Sequence, residues 1–131
     1  MITHYKLVDK KIVTCSLMDW AQYMEEKDRH IGSTDIGDYW VSTVFLGLDH
    51  SWRDEELILF ETMIFPNCEI PHDYFEYFQT RCSTYEEAMV MHGRSIGLVK
   101  KHYTINKFNA IIKTGILALF TIGLYYITTL L

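Results

Sequence analysis

The order of apolar and polar positions divides the chain into short segments of differing period. From His4 to Cys15 two extended runs flank Asp9-Lys10, which predicts a β-hairpin. Ser16 followed by Asp19 has the form of a capping box, and Leu17, Trp20, Ala21 and Met24 then recur at helical spacing. This helix is expected to reach about Arg29, with Ile31-Gly32-Ser33 ending it. Residues 39–47 are rich in β-branched and aromatic side chains and predict a strand. Residues 57–65 predict a second strand, stopped by Pro66, with the charged loop Asp49 to Glu56 joining the two as a long hairpin. The run from Tyr74 to Phe78 is read as a third strand continuing to Cys82. Thr84 with Glu87 forms another capping signature, and Ala88, Met91, Ser95, Leu98, Val99 and His102 trace one helical face to about residue 102.

These elements describe an α+β fold: a small antiparallel sheet with two helices packed on one face, then a single C-terminal transmembrane helix. Residues 1–104 form the α+β domain, and 105–131 form the anchor, with 103–107 as a short junction. The anchor rests on an uncharged run from Thr114 to Leu131, long enough at about 1.5 Å per residue to cross the hydrocarbon of a bilayer. Its carriers are Thr114, Gly115, Ile116, Leu117, Leu119, Phe120, Ile122, Leu124 and Ile127, which leave no polar face for a helix lying flat on a surface. Lys113 stands just outside the run, where its stem can snorkel to the headgroups. Lys100, Lys101, Lys107 and Lys113 all precede the run, which predicts that the N-terminal domain is cytoplasmic and that a single pass carries the C-terminus across. Gly115 and Gly123 are too far apart for a close-packing helix-dimer motif. The N-terminus has no basic region followed by an apolar stretch, so a secretory signal is not expected.

Charge sharpens this division. The chain has 131 residues with 12 Lys+Arg against 17 Asp+Glu, a formal net of −5. Residues 1–104 hold ten basic and seventeen acidic side chains, net −7, and 105–131 hold only Lys107 and Lys113, net +2. The mean hydropathy of zero averages a tail near about +1.3 per residue with a head near about −0.3. An acidic head argues against a nucleic-acid groove. The expected partners are a membrane and a protein, and a homo-oligomer is compatible with the pattern.

Candidate chemistry is sparse. Cys15, Cys68 and Cys82 lack CxxC spacing and suit free thiols in a reducing compartment. The six histidines at 4, 30, 50, 72, 92 and 102 match no metal-ligand spacing, so neither metal nor cofactor is expected. Asp49-His50 falls where a strand meets a loop; Asp49 capping that turn beside an exposed His50 is the simpler alternative to a site. Glu61 interrupts an apolar strand and must pair, protonate or reach solvent, with Arg81 and His92 as candidate partners. A Glu61–Arg81 pair is one outcome, and a polar ligand pocket of His50, Glu61, Arg81 and His92 is the sharper one. Gly93 and Gly97, one helical turn apart, permit close approach to the sheet or to a partner. Asp54-Glu55-Glu56 is read as a solvated loop tip.

The blocks from Trp40 to His50, Leu59 to Phe65, and Arg81 to Ala88 with His92-Gly93 resemble a group of small uncharacterised proteins encoded by bacteriophages, prophages and some bacteria. A first helix with Leu17 to Trp20 and an Asp28-Arg29 pair extends the likeness over roughly residues 5 to 100. The chain departs from that group in the loop from Trp52 to Glu56, at Cys82, and in the apolar tail, since the group generally looks soluble. The resemblance implies a phage or prophage setting and brings no activity. Three functions follow as expectations: a non-enzymatic, membrane-anchored accessory protein that binds and modulates a host factor such as a defence component; a nucleotide-like ligand binder or hydrolase using His50, Glu61, Arg81 and His92; and a structural subunit of a membrane or virion assembly.

Overall fold

A computed structural model describes residues 3–51, 56–69 and 74–129, with the side chains of 123, 124 and 126–129 outside that description. The chain forms two compact units, Met1–Gly97 and Leu98–Leu131. The fold is α+β, with two antiparallel sheets rather than the one expected.

Strands β1 (His4–Val8) and β2 (Lys11–Cys15) make the expected hairpin. Its two central residues, Asp9 and Lys10, have φ of 49° and 67°, the double left-handed geometry whose twist matches a two-residue hairpin. The hairpin extends the end of the larger sheet, because the Tyr5 amide donates to the Gly47 carbonyl at 3.0 Å. Helix α1 (Leu17–Glu26) starts as expected, with the Asp19 amide donating to Ser16 Oγ at 3.1 Å. It stops before Arg29, however. The Lys27 amide closes the last turn on the Tyr23 carbonyl, and Asp28 Oδ1 then accepts the His30 amide at 2.9 Å, turning the chain into a strand.

That strand, β3 (His30–Ile36), occupies the residues expected only to end the helix. It pairs with β4 (Tyr39–Phe45), β4 with β5 (Phe60–Pro66), and β5 with β6 (Gln79–Cys82), so the four-stranded sheet is a meander in chain order. The β4–β5 pair sets Thr43 opposite Thr62 and Val44 opposite Glu61; the β5–β6 pair sets Glu61 opposite Arg81. Residues 52–55 of the β4–β5 loop, including Asp54 and Glu55 of the expected acidic tip, lie outside the described residues, as does His72. The strand expected from Tyr74 is confined to β6. Residues 74–77 form a turn in which Phe75 is buried edge-to-face against Tyr39, at 5.0 Å between centroids, and the Phe78 amide returns to the Phe75 carbonyl. Aromatic richness there serves that anchor rather than a pleat.

Helix α2 (Tyr85–Thr129) follows and absorbs the expected junction at 103–107, so the second head helix and the tail are one element. Glu87 Oε2 accepts the Thr84 amide at 3.1 Å while the Glu87 amide donates to Thr84 Oγ1, completing the capping box. Within the first unit, Ala88, Met91, His92 and Ser95 are buried. Tyr5, Phe45, Leu59, Phe60 and Ala88 form the core cluster, with Tyr23, Ile31 and Tyr85 packed around it. Each fully buried large apolar side chain there contributes about 1.5–3 kcal/mol. Lys10 closes the hairpin over this core, its Nζ 5.4 Å from the Tyr85 ring centre.

Candidate functional site

Period-two alternation sends the neighbouring residues Glu61 and Thr62 to opposite faces of the sheet. Glu61, largely buried with 14% of its side chain exposed, accepts the Arg81 Nε–H at 2.8 Å and a further hydrogen bond from the Gln79 amide group. The carboxylate therefore escapes the cost of unpaired burial through cross-strand neighbours. On the same face Trp40 stacks on Phe65 at 5.3 Å and donates its Nε1–H to Ser33 Oγ at 2.9 Å.

The opposite face carries His92, which α2 lowers onto the centre of the sheet. Its Nε2 lies 3.0 Å from Thr34 Oγ1 on β3, and its Nδ1 lies 2.8 Å from Thr43 Oγ1 on β4. Thr43 Oγ1 is in turn 2.6 Å from Thr62 Oγ1 on β5. A neutral imidazole donates from one nitrogen and accepts at the other, and hydroxyls do both, so the four groups satisfy one another. Burial holds the His92 pKa below its ordinary value. Gly32 supplies the space: a Cβ there would stand 2.7 Å from the ring. Threonine beside a neutral histidine is a nucleophile–base pairing in type, but with His92 only 7% exposed and Thr43 and Thr62 fully enclosed it clamps three strands to a helix.

The expected four-residue pocket does not assemble. Glu61 and Arg81 meet; His92 lies across the sheet from them; His50 is exposed on its loop, held by its backbone amide to the Ile58 carbonyl. Asp49 caps that loop, its Oδ1 accepting the Ser51 and Ile58 amides at 2.9 Å each and its Oδ2 accepting the Ser51 hydroxyl. These hydrogen bonds hold the Asp49 carboxyl below the usual carboxylate range. His92 is likewise no partner of Glu61. Threonines 34, 43 and 62 are the polar residues that sequence reasoning missed, although Thr43 and Thr62 each sit between apolar residues of a buried face, the same signal that flagged Glu61.

A shallow groove of about 520 Å³ runs between β6 and the first turns of α2, lined by Thr80, Arg81, Cys82, Glu86, Glu87, Val90, Met91 and Arg94. Burial, and then the Glu87 charge, push the Cys82 thiol up to about 11, so it is a protonated thiol rather than a nucleophile at neutral pH. Cys15 and Cys68 are also free. Among the described residues no group of three or more His, Cys, Asp or Glu could hold a metal ion. Gly93 and Gly97 are exposed, with open space where a Cβ would be, so neither serves approach to the sheet.

In the second unit the apolar residues face outward. Ile116, Leu117, Leu119, Phe120 and Ile122 are all more than half exposed, and the side chains of Leu124 and Ile127 lie outside the described residues. Thr114 returns its hydroxyl to the Ala110 carbonyl at 2.9 Å, which satisfies it without water, and Gly115 has nothing around it. Tyr85–Ile122 includes an 18-residue stretch of mean hydropathy 1.3, none of it buried; the helix is long and apolar enough to cross a membrane. Comparison of the chain with protein-family models, with curated proteins and with solved structures found no match.

Proposed function

We propose that this chain is a single-pass, membrane-anchored binding protein of the phage or prophage type. Its α+β unit lies in the cytoplasm, engages a host protein and modulates it without catalysis. The observation that carries the reading is the exposure of Ile116 to Ile122 on a helix with no polar face. In water such a surface aggregates; in a bilayer it is solvated by lipid. The dispersal of His50, Glu61, Arg81 and His92 supports binding over catalysis, since an acid–base site needs its groups within hydrogen-bond reach of one substrate. The lysines preceding the uncharged run support a cytoplasmic head.

The test is fractionation of cells expressing the full chain or a chain lacking residues 108–131. The full chain should stay with membranes after alkaline carbonate, and the truncated one should move to the soluble fraction. A truncated chain that still pellets with membranes overturns the anchor. The exposed Cys68 thiol reads orientation. A membrane-impermeant maleimide should label it only after the inner membrane is opened, and labelling in intact spheroplasts overturns the cytoplasmic placement.

A further inference from the structure

From Ala88 to Leu131 the chain carries five basic residues and no acidic one, whereas residues 1–87 carry seven basic against seventeen acidic. Charge thus changes sign near the start of α2. Four of the five, Lys100, Lys101, Lys107 and Lys113, belong to the second unit, and all four are exposed. Among the described residues no carboxylate pairs with any of them. Four like charges within about 20 Å of helix repel one another, so the helix itself gives no reason for them.

Their arrangement is informative. At about 100° per residue the four fall on three headings roughly 120° apart: Lys100 with Lys107, then Lys101, then Lys113. A helix lying in the membrane surface gathers its cations on one face, and so does a helix docked in an acidic protein groove. A collar instead suits an axis that passes through a plane of negative charge. The uncharged run begins one residue after Lys113. In an anchored helix Lys113 therefore sits at the edge of the hydrocarbon, Lys107 about 9 Å outside it, and Lys100 and Lys101 about 20 Å out. With a Debye length near about 8 Å in physiological salt, the inner two meet the headgroups directly and the outer two feel a screened field.

We infer that this lysine collar binds the phosphates of anionic phospholipids, so that α2 recruits acidic lipid around itself on the Lys113 side of the bilayer. The inference rests on the reading of α2 as a membrane anchor. All four groups are ammonium point charges rather than planar guanidinium forks, so recognition follows lipid charge and not headgroup shape.

The experiment uses the full chain reconstituted in phosphatidylcholine vesicles with and without phosphatidylglycerol. Traces of spin-labelled phosphatidylglycerol, phosphatidylserine or phosphatidylcholine report which lipids the protein holds. The two anionic labels should be immobilised about threefold more than phosphatidylcholine. The preference should fall toward one in about 1 M KCl, where the Debye length is about 3 Å. It should vanish in K100Q/K101Q/K107Q/K113Q and persist when the same four are changed to arginine. Equal immobilisation of all three labels by an embedded wild-type chain overturns the inference and leaves the anchor standing. Equal immobilisation together with loss of a dimer in the glutamine variant also overturns it, assigning the lysines to the acidic head of a second copy. A wild-type chain stripped from both vesicles by urea overturns the anchor and the lipid collar together.

Discussion

Gly32 on β3 lies directly beneath the imidazole of His92 on α2, close enough that a Cβ on residue 32 would stand 2.7 Å from both Cγ and Nδ1 of the ring. The ring is fixed from both sides by Thr34 and Thr43 and cannot slide away without breaking a hydrogen bond.

Gly32→Ala should therefore destabilise the head by about 1–3 kcal/mol, the usual range for overpacking a well-filled core. Denaturant unfolding of the detergent-solubilised chain measures it. The penalty should shrink in a His92→Ala background, where the added methyl has room. Equal penalties in the two backgrounds would refute the contact.

The pH dependence of stability follows from the same ring. Burial lowers the His92 pKa in the folded state below its unfolded value of about 6.5. As pH falls through that value the unfolded chain takes up a proton that the native chain refuses, so stability is full above about 6.5 and declines below it until the lower folded pKa is reached. The carboxyls of Asp28, Asp49 and Glu87, each held low by backbone amides and neighbouring side chains, lose their contribution only in the more acid range below their unfolded values. Thermal melts across pH 7.5 to 5 should show the first decline, and His92→Gln should remove it. An unchanged slope in that variant would place the titration elsewhere.

Leu119, 71% exposed, tests the tail at a single position. Leu119→Arg should cost about 2.5–3.5 kcal/mol on insertion and shift the chain toward the alkaline-extractable fraction, whereas Leu119→Ile should stay embedded. Retention of the arginine variant would mean that residue 119 does not face hydrocarbon.

Elements with strong local chemistry were legible in the sequence. The hairpin about Asp9-Lys10, both capping boxes and the β4–β5 pair each rest on a few adjacent residues. What escaped depends on distant partners. Strand β3 reads as His-Ile-Gly-Ser-Thr-Asp-Ile, a turn-like composition, and becomes a strand because β4 offers a ladder and His92 needs a glycine beneath it. Tyr74 to Phe78 has strand composition yet forms a turn, because Phe75 finds a pocket beside Tyr39. At the candidate site the Glu61–Arg81 pair was readable from one buried carboxylate and one nearby cation. The separation of His92 from Glu61 was not, since it hinges on which face of β5 each neighbour meets.

The meander also sets a timetable. A ribosome completes every strand before it reaches Tyr85, so Thr43 and Thr62 emerge on a nascent sheet whose polar partner is still being synthesised. Until His92 arrives, one face of that sheet has hydroxyls to satisfy and rings to hide. The newborn chain is thus most vulnerable in the interval between Cys82 and His92, which makes folding helpers acting on that intermediate a determinant of yield.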